Sequence, residues 1–348
     1  MLAGVLYGKR DVRVEAVGRP DAGPGEVLVG VRQVGICGSD VHYYVHGRCG
    51  PFVPSQPFIL GHEFVGIVET TGKDVDHPAV GARVVVNPAS SCGQCEACRS
   101  GRANLCGRVI MLGSGSSTPP TNGAFAEFVV VPAHQCYTVP ETMENSVAAM
   151  MEPLSVALHA IRRAGGVAGE RVLVTGGGPI GLLTSVVAQT LGASLVVVSE
   201  PSSARRSLAA AMGVDHLLDP GSADIEKHGI EITGGGFDKV FEASGAEPAV
   251  KGAMTMVRRG GTVVQIGTVG HNHVTLPVSD LMLREISLLG TFRYANEFPE
   301  AIRLAASGRI EALPSFVTGV FPLEDIEQAM NVACAGDRDL KVQMSVRS

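Results

Sequence analysis

The stretch RVLVTGGGPIGLL, Arg171 to Leu183, decides how the chain is read. An apolar, β-branched run stops at three consecutive glycines, and a helical pattern follows. Gly176, Gly178 and Gly181 form G-x-G-x-x-G, a weak signal alone and a strong one between a strand and a helix. A second apolar run, SLVVVSE, ends on Glu200, nineteen residues after Gly181. Gly176 is expected to permit a tight turn, Gly178 to let backbone amides approach a pyrophosphate at a helix N-terminus, and Gly181 to let helix and strand pack closely. Glu200 is placed to accept hydrogen bonds from adenosine ribose hydroxyls and to repel a 2′-phosphate, which favours NAD over NADP. Arg205 works against that choice, because a guanidinium can stack on adenine or meet a phosphate. NADP therefore stays the alternative cofactor.

Outward from this stretch the pattern persists. DHLLDP, FDKVFEASG, GGTVVQIGTVG and ISLLGTFRY read as short apolar strands, with helical SARRSLAAAMG and AEPAVKGAMTMVRRG between several of them. Strands separated by helices imply a parallel sheet covered on both faces. The residues before about 155 differ: EVLVGVRQVGI, FVGIVETTG, ARVVVNP and AFAEFVVVP are strand-like and bounded by Pro and Gly turns. With 348 residues and 45% hydrophobic composition, the chain is long enough for two cores, since single cores rarely exceed about 250–300 residues.

A net charge of −6 without a dense Lys/Arg block argues against nucleic-acid binding. The N-terminal residues lack the marks of a signal peptide. The most membrane-like run, LLTSVVAQTLGASLVVV, is broken by Thr184, Ser185, Gln189, Thr190, Gly192 and Ser194. The expectation is a soluble, cytoplasmic protein without a membrane partner.

Four of the eight cysteines lie together. Cys92, Cys95, Cys98 and Cys106 are spaced C-x2-C-x2-C-x7-C, which suits a closed, four-thiolate structural zinc site. The alternative is a metal-free or partly oxidised cluster. Elsewhere, Cys37 in GICGSDVHYY, the adjacent His62 and Glu63 in ILGHEFVG, and Glu152 in MMEPLSVALHA offer S, N and O donors. Catalytic zinc commonly has three protein ligands and one open position. No single segment holds two well-spaced ligands, so spacing alone leaves Cys37 as a packing residue.

Together, GICGSDVHYY, LGHEFVG, the four-cysteine loop, EPLSVALHA and GGGPIG stand in the order found in zinc-dependent medium-chain alcohol and polyol dehydrogenases, and the resemblance covers essentially the whole chain. It implies an α/β protein with a GroES-like β-rich catalytic domain (residues 1–155 and 295–348) and a Rossmann doubly wound parallel sheet (156–294). Glu152 stands where alcohol-type members have a cysteine, which resembles the sorbitol dehydrogenase branch. MLGSGSSTPPTNGAFAEFV and GTFRYANEFPEAIRLAASGRI resemble its members that act on sugar acids.

By this resemblance, catalytic zinc is held by Cys37, His62 and Glu63, with Glu152 bound directly or through water, giving two Zn2+ per chain with the four-cysteine site. Ser39 and His42 form a proton relay, with turn and surface residues as their ordinary readings. Tyr43, Glu152, Arg293 and Tyr294 meet the substrate, Arg293 having a structural ion pair as its alternative. Pro179, Ile180, Ile266, Gly267, Thr268, Thr291, Phe292 and Arg293 join Gly176, Gly178, Gly181, Glu200 and Arg205 at the cofactor. The implied substrate is a small sugar acid or polyol, and the implied assembly a homodimer or homotetramer. A non-enzymatic protein recruited from the family is the alternative of a different class.

Overall fold

The structure, a computed structural model, describes residues 1–270, 273–336 and 339–347. The chain divides into two compact units: Met1–Glu152, Phe298–Ser307 and Pro314–Ser348 form the first, and Pro153–Glu297 and Gly308–Leu313 the second. Residues 308–313 belong to the second unit, as does the segment up to Glu297. Side chains tie both segments there. Glu297 accepts from Arg162 Nη1 at 2.9 Å and lies 3.1 Å from His159 Nδ1, while Arg309 donates to Thr190 O at 2.7 Å.

The second unit is built on a six-stranded parallel sheet. Its strand order is His216–Leu218, Leu195–Ser199, Arg171–Thr175, Phe237–Glu242, Val257–Gln265, Ser287–Gly290. The inner strands are near-continuous apolar runs because helices cover both faces. Leu173, Val197, Val240 and Val263 lie at the centre of the core. Register aligns the strand ends: Thr175 pairs with Ser199 and Glu242, Glu242 with Gln265, and Gln265 with Gly290. The chain order reverses at Arg171–Thr175, where a doubly wound sheet opens its ligand crevice. The helix Glu247–Met256 stops short of the expected VRRG, since Val257 already pairs with Phe237 as strand.

The first unit carries a seven-stranded sheet ordered Cys136–Thr138, Arg83–Val86, Glu63–Thr71, Glu26–Gly35, Lys341–Ser345, Val317–Pro322, with Phe128–Pro132 also paired to Glu26–Gly35. Val27, Val29, Val31, Phe64, Val84 and Phe125 fill its core. One element departs from the strand-rich expectation: Gly38–His46 is a helix. Cys37 precedes it in extended conformation, Asp40 Oδ2 accepts from Cys37 N at 2.9 Å, and Gly47 closes it at φ +69. Asp40 thus takes the reciprocal role of a capping box, with cysteine where serine is usual. Among the described residues no helix is long and apolar enough to cross a membrane.

Candidate functional site

Ligand atoms of Cys37, His62 and Glu63 lie within 4.8 Å of one another. The backbone makes this convergence. Cys37 sits at the helix N-terminus, His62 follows the turn at Gly61, and Glu63 opens a strand. Gly61 has φ +92, and a Cβ there would run into the Phe125 ring. Gly66 plays a different part: it lies inside the strand, where a Cβ would stand 2.6 Å from Gly30 O, so it serves close strand approach and not a bend. Gly35, paired opposite Glu63, leaves room for the Glu63 carboxylate.

The surroundings are buried and charged. His62 is 4% exposed, and its Nδ1 has no hydrogen-bond partner, standing 3.8 Å from Asp40 Oδ1. The His62 ring also makes a side-chain hydrogen bond with Cys37. Burial disfavours a charged imidazole, but Asp40, Cys37 and Glu152 outweigh it and push the His62 pKa up to about 10. Surroundings that favour a positive charge on this imidazole also favour a metal cation. Asp40 itself is fully buried, and burial raises its pKa against the opposing effects of His62 and the Cys37 and Gly61 amides. The S, N and O donor set therefore fits zinc.

Glu152 is buried in the first turn of the helix Met151–Arg163, outside the three-residue cluster. Its influence on this site is electrostatic, through His62 and Lys341. Lys341 is a residue the sequence did not reveal. Its Nζ donates to Glu63 Oε1 at 2.9 Å, Oε2 at 2.7 Å and Ile36 O at 3.2 Å. Burial lowers its pKa, but Glu63 and Cys37 reverse that and raise it.

The four-cysteine loop forms a second cluster, its sulfurs also within 4.8 Å of one another. Cys95 and Cys98 sulfurs are 3.5 Å apart, and those of Cys92 and Cys98 are 3.9 Å apart. All eight cysteines are unbridged. Amides of Gln94 and Cys95 donate to the Cys92 sulfur and pull its pKa down to about 5. The Cys92 and Arg108 amides reach Cys106 Sγ at 3.5 and 3.4 Å. Thiolates with amide donors suit a closed zinc site.

The glycine turn lies at the reversal point of the parallel sheet. Gly176 has φ +101, Gly178 is the N-cap of Pro179–Thr190, and a Cβ on Gly181 would overlap Gly176 O. Space above Gly178 is open, its nearest neighbour being Arg205 Nη1 at 4.0 Å. Pro179 and Ile180 are partly exposed beside it. Glu200 accepts from Gly177 N at 2.6 Å and Ser202 N at 2.8 Å. A missed residue, Glu242, is fully buried at the end of the next strand and accepts from Ser244 N at 2.8 Å and Gly245 N at 3.0 Å. Gly245 and Gly267 pack closely there, placing Ile266, Gly267 and Thr268 at the same edge. Thr291, Phe292 and Arg293 follow the last strand. Thr291 Oγ1 and Arg293 Nη1 are buried without hydrogen-bond partners, and Arg293 holds φ 52 with its guanidinium 4.7 Å from the Phe292 ring. A strained residue with an unpaired donor suits ligand contact.

Ser39 and His42 lie three residues apart on the helix Gly38–His46, half-buried and exposed respectively. Partial desolvation of its ring, then His46 with its ring 5.6 Å away, lowers the His42 pKa. Tyr43 is 2% exposed. Its hydroxyl accepts from Gly115 N at 3.0 Å and lies 3.3 Å from Ser114 Oγ, so it braces the loop after Gly113. Tyr294 is equally buried.

The doubly wound sheet and the buried S, N, O cluster define a zinc-dependent dehydrogenase. Residues 23–141 match the alcohol dehydrogenase GroES-like domain, and residues 179–307 match the zinc-binding dehydrogenase domain. The chain is 37% identical to a sorbitol dehydrogenase of Bacillus subtilis over 334 residues, covering 96% of this chain and 93% of that protein. L-idonate 5-dehydrogenase from Escherichia coli has a structure that superposes with a TM-score of 0.91 at 35% identity, covering 99% of this chain and 97% of that one. A zinc-binding dehydrogenase from Sinorhizobium meliloti, solved bound to NADP, gives a TM-score of 0.91 at 34% identity, covering 99% and 98%. The chain belongs to the zinc-dependent medium-chain dehydrogenases, in their polyol dehydrogenase branch, and it is an enzyme that acts on a small polyol or related sugar.

Proposed function

We propose that this enzyme oxidises a secondary hydroxyl of a sugar acid, converting L-idonate to 5-keto-D-gluconate, with NAD as the preferred acceptor. The observation that carries the dehydrogenase chemistry is the convergence of Cys37, His62 and Glu63 in buried, anionic surroundings. These residues would hold the catalytic ion, with Glu152 acting through charge or a bridging water. Cys92, Cys95, Cys98 and Cys106 would hold a structural one. Bound zinc supplies a Lewis acid that lowers the pKa of the substrate hydroxyl, and bound NAD supplies the hydride acceptor. Ser39 takes the hydroxyl proton and passes it to His42, which releases it to water. The lowered His42 pKa keeps that imidazole neutral and able to accept near pH 7.

An acid at Glu200 supports NAD, since a carboxylate at the end of this strand repels a 2′-phosphate. Similarity to L-idonate 5-dehydrogenase and the unpaired donor of Arg293 support a carboxylate-bearing substrate. Similarity to sorbitol dehydrogenase supports the second reading, a sorbitol- or xylitol-type polyol substrate. A panel of L-idonate, D-sorbitol, xylitol and L-threonine, each with NAD and NADP, separates the two. L-idonate with NAD should give the highest kcat/KM, and preference for a polyol without a carboxylate refutes the first reading. A second copy of the chain fits the sheet edge at Ser287–Gly290, which pairs on one side only and lies near the exposed Val278, Met282 and Leu283 in sequence. Sedimentation should show a homodimer, or a homotetramer built from it.

A further inference from the structure

We infer that Lys341 is a positioning residue that competes with the metal for Glu63 and so sets how tightly the catalytic site holds its ion. The inference rests on zinc binding at Cys37, His62 and Glu63, as proposed above. An ammonium has three donors, and those of Lys341 match three acceptors: Glu63 Oε1, Glu63 Oε2 and Ile36 O. The Lys341 and Glu63 side chains are 3% and 1% exposed, so water cannot take over either partner. Both oxygens of the carboxylate therefore already serve a full positive charge. A metal ion that takes one of them must weaken an ion pair that is expensive to break when buried.

The chain also carries the groups that make this competition consequential. Glu63 and Lys341 stand 278 positions apart in sequence, and Gly35 is kept free of a side chain where the Glu63 carboxylate lies. The architecture thus reserves a place for this carboxylate between a fixed cation on one strand and the Cys37 and His62 donors on the other side of the cluster. Weaker retention of the ion has a chemical use. A carboxylate that can return to Lys341 leaves a coordination position for an incoming hydroxyl without leaving an uncompensated buried charge.

The test is zinc competition against a chromophoric chelator, using full-length protein. Wild type should release two classes of ion, and the four-cysteine class is an internal control. Lys341→Met should tighten only the Cys37–His62–Glu63 class, by about tenfold or more, because it leaves the Glu63 carboxylate a buried charge that only the ion can neutralise. Lys341→Gln, which keeps donors but not charge and is the safer substitution for folding, should tighten it less. Lys341→Arg should stay at or below the wild-type affinity. In a Glu63→Gln background the Lys341→Met effect should largely vanish. Equal or weaker binding in both Lys341→Met and Lys341→Gln overturns the inference, as does an undiminished effect in the Glu63→Gln background, which would mean a general field. If wild type shows no ion beyond the four-cysteine class, the zinc assignment itself fails and takes this inference with it.

Discussion

Gly178 and Gly181, three residues apart in one turn, should respond differently to the same substitution. Gly181→Ala places a Cβ that overlaps Gly176 O, stands 3.0 Å from Gly176 C and 3.4 Å from Val174 Cγ1. Neither strand nor turn can yield without moving the helix Pro179–Thr190. Such overpacking costs about 1–3 kcal/mol, and each kcal/mol lowers Tm by about 2–4 °C in a domain of this size. Gly178→Ala meets nothing closer than Arg205 Nη1 at 4.0 Å, and its φ of −75 is open to any residue. Its stability should change by no more than about 0.5 kcal/mol, because the poorer N-cap and the stiffer unfolded chain offset each other. The methyl group does, however, occupy the approach of a pyrophosphate to the helix N-terminus. Losing one charge-assisted hydrogen bond there costs about 1.5–3 kcal/mol, or about tenfold to a hundredfold in NADH affinity. Thermal melts and NADH fluorescence titrations of both variants decide the matter. Wild-type NADH affinity in Gly178→Ala, or a Tm loss equal to that of Gly181→Ala, would refute the assignment of this turn to the dinucleotide.

Three further outcomes are expected. His46 helps to depress the His42 pKa, so His46→Ala should raise it and move the acid limb of the kcat profile to higher pH, while His42→Ala should lower turnover mainly at low pH; a profile unchanged in both removes His42 from the relay. Asp238 is held well below the carboxylate range by bonds from Arg171 and Arg258, so its stabilisation is present above the unfolded pKa and is lost as pH falls through the folded one. Asp238→Asn should therefore destabilise by about 1–3 kcal/mol at pH 7, with a smaller difference in urea melts below about pH 4. Metal analysis should give about two zinc per chain, falling by one in Cys98→Ser and by a different one in His62→Ala.

The parallel sheet was legible because glycine spacing and apolar runs are local signals, and the strands after Arg171, Leu195 and Phe237 stand where those runs lie. The cysteine loop was legible for the same reason. Helix Gly38–His46 was not: Val41, Tyr43 and Tyr44 favour strand, and the cue that opposes them is a cap made from Cys37 and Asp40. Lys341 was missed because it looks like an ordinary charged residue until Glu63, 278 positions away, is brought against it, and Asp40 and Glu242 because a carboxylate that bonds nearby amides carries no mark of burial in sequence. Gly61 and Gly66 look alike in sequence, yet one supplies a positive φ and the other a close strand contact. Single side chains, Glu297 and Arg309, hold the connecting segments to the second unit, and a lone charged residue gives no such sign in sequence.

The strand Lys341–Ser345 lies inside its sheet, between Glu26–Gly35 and Val317–Pro322. During synthesis the whole parallel-sheet unit leaves the ribosome before this strand does, so that unit can fold while the first still lacks an interior member. Cys37, His62 and Glu63 emerge early, and Lys341 follows Glu63 by 278 residues. At about 5–20 residues per second that interval lasts roughly 14–56 s. For that time the nascent donors lack their cation, so, on the zinc reading proposed above, a metal ion would meet Glu63 before Lys341 does.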